Sequence, residues 1–65
     1  MEPLQLLHSI WAMANTCNTW QDLKNRANSY TASRPDTLLT IGDDLVIISS
    51  RTGAVSVTFT PQFFN

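Results

Sequence analysis

The sequence predicts a small α+β domain, order ααβββ, in which an N-terminal helical hairpin packs on one face of a three-stranded antiparallel β-meander. Three observations carry this. Apolar residues recur at helical spacing from Pro3 to Tyr30, and beyond Arg34-Pro35 the pattern changes to the two-residue alternation of strands, punctuated by Gly42 and Gly53. Length supplies the third: 65 residues leave room for a single domain, 1–65. A domain of about 60 residues buries only ~60% of the surface its unfolded chain exposes. The core is therefore small and the expected margin is roughly 3–5 kcal/mol unless a partner or a second copy adds to it.

The first helix is expected over about 3–14. Pro3 suits its first position, where the missing N–H costs nothing. Leu4, Leu6, Leu7, Ile10, Trp11, Met13 and Ala14 fall on one broad face, wide enough to meet two neighbours, opposite Gln5, His8 and Ser9. Asn15 to Asn18 forms a short connection, because Asn and Thr hydrogen-bond locally and compete with helix continuation. The second helix spans about 19–30, with Thr19 as N-cap and Asp22 placed to complete a variant of the capping box. Trp20, Leu23, Ala27 and Tyr30 form its buried stripe, and Asp22 with Arg26 an exposed i,i+4 pair.

Thr31 to Asp36 is the linker between the halves, since Pro35 disfavours helix at Arg34. Strands follow over about 37–41, 45–50 and 54–60, with Gly42-Asp43-Asp44 and Arg51-Thr52-Gly53 as turns and Gly supplying positive φ. The middle strand, Leu45-Val46-Ile47-Ile48, is apolar on both faces, as a central strand should be. A hairpin of helices covers only one of those faces. Either Leu45 and Ile47 or Val46 and Ile48 are left on the other, as an apolar stripe flanked by Ser and Thr, and such a patch usually marks an interface. Trp11, Trp20 and Phe59 join helices to sheet. Phe63-Phe64, beyond Pro61, either folds back on the core or reaches a partner.

Composition removes many functions. Cys17 is the one cysteine and His8 the one histidine, which excludes internal disulfides and argues against a zinc site. No cofactor is expected: a phosphate-binding glycine loop is impossible when Gly42 and Gly53 are each needed by a turn. Asp43 and Asp44 make a poor cation site without further oxygen ligands. His8 reads as a surface histidine and Cys17 as a small buried hydrophobe, so the chain is expected to be no enzyme. The net charge is −1, with Lys24, Arg26, Arg34 and Arg51 dispersed, which argues against direct contact with nucleic acid. No stretch approaches a membrane span, and no convincing export signal precedes Ala12-Met13-Ala14, so a cytoplasmic protein with no membrane partner is expected.

Met1 to Asn65 reads as a complete small reading frame. The function expected is that of a non-catalytic protein-binding module: a phage or mobile-element accessory protein that inhibits a host defence complex by occupying its surface, as anti-CRISPR proteins do. The partner-binding residues expected are Arg51, Ser56, Thr58, Thr60, Phe63 and Phe64. The alternative is a small homo-oligomeric structural or regulatory subunit, most simply a homodimer. A DNA-binding repressor or antitoxin ranks third, because only the second helix carries two bases.

Overall fold

Helix α1 runs from Pro3 to Asn15 and α2 from Trp20 to Ala32, and strands β1 (Thr37–Gly42), β2 (Leu45–Ser50) and β3 (Ser56–Phe59) follow, closed by a short 3₁₀ helix, Pro61–Phe64. These elements come from a computed structural model that describes residues 3–64. The strands pair antiparallel in the order β1-β2-β3. Both helices lie on one face, α1 against β3 and α2 against β1 and β2, so the α+β arrangement is the one the periodicity predicts.

The helices form an antiparallel hairpin. Arg26 of α2 reaches the Thr16 hydroxyl at the end of α1 (3.1 Å), and the Tyr30 hydroxyl meets Ser9 Oγ (2.9 Å). The connection is built by local bonds: the Thr16 and Cys17 N–H groups donate to the Met13 and Ala14 carbonyls, and the Thr16 hydroxyl also donates to Met13. Thr19 caps α2 in extended geometry, accepting from the Asp22 N–H at 3.1 Å. The Asp22 carboxylate does not close a capping box. It accepts instead from Arg26 Nε at 3.3 Å, because the neighbouring guanidinium is a charged donor one turn on.

The core joins Leu6, Ile10 and Ala14 of α1 and Leu23, Ala27 and Tyr30 of α2 to Val46, Ile48, Val57 and Phe59 of the sheet. Full burial of side chains such as Ile10, Leu23 and Phe59 contributes about 1.5–3 kcal/mol each. The apolar face of α1 is narrower than its sequence predicts. Leu4 and Trp11 remain 54% and 39% exposed: α2, β3 and the 3₁₀ turn, where Phe63 lies beside Trp11, cover only part of that face. Of the three aromatics expected to join helices to sheet, only Phe59 is fully buried. Trp20 is half-buried, its indole N–H donating to the Asp43 carbonyl.

Several bounds shift. Helix α1 gains Asn15, β1 gains Gly42, and α2 begins at Trp20 and continues to Ala32. Arg34 then lies over the Tyr30 ring, 3.8 Å from its centre, and its guanidinium donates to the Tyr30 carbonyl. Strand β3 is shorter than expected at both ends. Gly53, at φ 79°, turns the chain, and Val55 re-enters by donating its N–H to the Ser50 hydroxyl and accepting the Ser50 N–H at its carbonyl. At the other end Pro61 removes a donor and starts the 3₁₀ turn. Gly42 does not have positive φ, so that turn needs no glycine for its conformation.

Candidate functional site

Register decides which apolar set of β2 is left uncovered. Val46 and Ile48 are fully buried and pair with Phe59 and Val57, which places all four beneath the helices. Leu45 and Ile47 therefore occupy the opposite, open face. Residues directly opposite one another in an antiparallel pair share a face, so Ile47 lies in a row between Thr40 and Thr58. Ser49 lies between Leu38 and Ser56 in the next row, and Leu45 stands beside Gly42. Leu38, Ile47 and Leu45 make an apolar band in a field of hydroxyls, and none of these residues is charged. Leu38 is 45% exposed, while Ile47 and Leu45 are half-buried between neighbouring strands.

Among the residues expected to bind a partner, Ser56 and Thr58 are exposed on this face, and Thr60 is exposed just beyond the strand. The other three are elsewhere. Arg51 lies at the end of the sheet, where its backbone N–H donates to the Asp36 carbonyl at 2.9 Å and its guanidinium Nε to the Pro35 carbonyl. Phe63 folds back onto the helix side, its ring 5.5 Å from Phe59 and 5.9 Å from Trp11, and Phe64 meets it edge-on at 5.0 Å. The tail thus packs on the edge of the core. Leu38, Thr40 and Ser49 are the residues of this face missing from the expected set; Thr and Leu occur on both faces of β1, so only its register with β2 places them here.

Other features offer less chemistry. His8 is exposed on α1. Cys17 is buried and donates to the Met13 carbonyl at 3.4 Å; burial pushes its thiol pKa up, the Asp22 carboxylate adds to this, and Arg26 and Thr16 oppose it. A raised pKa leaves less thiolate, the nucleophilic form, near neutral pH. Among the described residues, no three His, Cys, Asp or Glu side chains come together as metal ligands. A hollow of about 180 Å³ lies between the start of α1 and the β2–β3 turn, lined by Pro3, Leu6, Asp36, Arg51 and Val55. Ligand pockets are usually larger, about 300–1,000 Å³. No described helix is long and apolar enough to cross a membrane.

Compared with protein-family models, curated proteins and solved structures, the chain matches none.

Proposed function

We propose that the protein is a non-catalytic binding module whose uncharged open sheet face, centred on Ile47, docks on a host protein complex. The observation that carries this is the row Thr40–Ile47–Thr58 with Leu38 and Leu45 beside it, an apolar band rimmed by hydroxyl groups on the side that the helices leave free. An apolar centre with a hydrogen-bonding rim is the usual anatomy of a protein interface. Ser56, Thr58 and Thr60 belong to the rim. Arg51, Phe63 and Phe64 act indirectly, by holding the two ends of the sheet.

The mode of action that fits is stoichiometric occupation of a surface, the way of small cytoplasmic inhibitors from phages and mobile elements, anti-CRISPR proteins among them. What supports it is small size, near-neutral charge and the scatter of titratable residues. The test is capture of a host complex from lysate by the immobilised chain, identified by mass spectrometry and repeated with variants. Ile47→Lys or Thr58→Lys should abolish capture with the circular dichroism intact. Lys24→Glu and Asn28→Asp on α2 should leave capture unchanged; if they abolish it and the sheet variants do not, the interface is on the helical hairpin.

A further inference from the structure

Strand β1 is an edge of the sheet, with β2 on one side only. The bonds at its start fix the direction of its backbone groups. The Asp36 carbonyl accepts from the Arg51 N–H on the β2 side, whereas the Thr37 N–H turns away, to the Arg34 carbonyl at 3.1 Å. These directions alternate along an antiparallel strand. Leu38, Thr40 and Gly42 therefore bond toward β2, and Leu39 and Ile41 present their N–H and C=O groups at the open edge.

Soluble proteins keep such edges from pairing with lysines, prolines, bulges or very short strands. Strand β1 has none of these: it is six residues long, uncharged, without proline, and in unbroken register with β2. It also carries two of the most exposed large apolar side chains, Leu38 at 45% on the open face and Ile41 at 44% on the helix side. The opposite edge is better protected. Strand β3 has four residues, its exposed side chains are Ser56 and Thr58, and Pro61 follows.

Charge at the two ends of β1 selects the occupant. Arg34 and Arg51 outweigh Asp36 at the start, where Arg51 is tied to the Pro35 and Asp36 carbonyls. Asp43 and Asp44 make the other end acidic. A second copy running antiparallel sets each arginine end beside an acidic turn, twice over a two-fold axis, and the uncharged middle brings no like charges together. We propose that β1 pairs antiparallel with β1 of a second copy, joining two three-stranded sheets into one continuous sheet. Opposite residues must share a face, so the axis passes through Leu39 or Thr40. Edge groups of Leu39 and Ile41 gain partners, and Leu38 and Ile41 are withdrawn from water on opposite faces.

Self-pairing needs no host partner, so it is tested on the purified full chain by sedimentation equilibrium, apart from any capture experiment. The expected species has twice the 7.3 kDa chain mass. Ile41→Lys, and separately Asp43→Lys with Asp44→Lys, should each raise the dimer dissociation constant about tenfold or more. Thr58→Lys, across the open face toward β3, should leave it unchanged. The Asp43 and Asp44 side chains are exposed on a turn, so that variant decides the matter if Ile41→Lys loses its circular dichroism. A monomer at every concentration, a dimer that resists the charge reversal, or one lost through Thr58→Lys overturns the proposal.

Discussion

The Trp20 indole N–H donates to the backbone carbonyl of Asp43 at 3.1 Å, tying the first turn of α2 to the β1–β2 turn across 23 residues of sequence. The bond sets where the helical hairpin sits along the sheet, at the end where Ile41 runs past the helix cover. Trp20→Phe keeps most of the ring and removes the donor. Water can still reach the Asp43 carbonyl, so the expected loss is about 0.5–1.5 kcal/mol in urea unfolding. No change in midpoint would mean that the packing of the ring alone holds the helix there.

The two glycines should respond differently to alanine. Gly53 has φ 79°, a conformation that costs an L-residue roughly 1–2 kcal/mol. Gly42 has no such φ, and an added Cβ would meet Leu45 Cβ at 3.7 Å, an ordinary contact. Thermal unfolding should show Gly53→Ala lowered by about 4–8 °C or more and Gly42→Ala close to the parent.

Replacing Phe63 and Phe64 together with Ala should act first on stability. Both rings belong to the cluster with Trp11 and Phe59, and each aromatic pair contributes about 0.5–1.5 kcal/mol beyond buried area. A lower urea midpoint with a changed Trp11 emission is the expected result. Unchanged stability with lost partner capture would instead make the tail a direct contact.

The raised pKa of Cys17 gives a signed pH dependence. The folded state holds the thiol proton more tightly than the unfolded one, so this contribution is complete below the ordinary pKa of an exposed thiol. It is lost as pH rises from there through the folded value. Cys17→Ala should flatten that alkaline slope, and alkylation of the native chain should be much slower than in denaturant.

Where one rule governed, the elements were legible in the residues. Thr19 caps α2 as a threonine before an apolar stripe should, and Leu23, Ala27 and Tyr30 are buried together because their spacing leaves no other face. Both apolar sets of β2 alternate equally well, so the covered face could not be read from β2 itself; the packing of Phe59 and Val57 under α1 and α2 decides it. Trp11 does join α1 to the sheet, edge-on to Phe59 at 5.1 Å, yet it stays 39% exposed, because an apolar helical angle does not guarantee neighbours that cover the whole ring. The open face was legible as hydroxyl alternation in β3, whereas its β1 members depended on register, which a sequence specifies only through the pairing it produces.

Each strand pairs with its neighbour in the chain, and the two helices with each other, so most of the backbone can find its native surroundings within a short stretch. The contact that spans the most sequence joins α1 to β3, the first regular element to the last strand, sealed by Trp11 edge-on to Phe59 at 5.1 Å. Chains dominated by nearby pairings fold fast, and closing the largest loop is the costliest entropic step. Assembly is thereby expected to run from two independent hairpins to a late joining of the termini. The two tryptophans sit on different sides of that sequence of events: Trp20 senses the meeting of helix and turn, Trp11 the final closure.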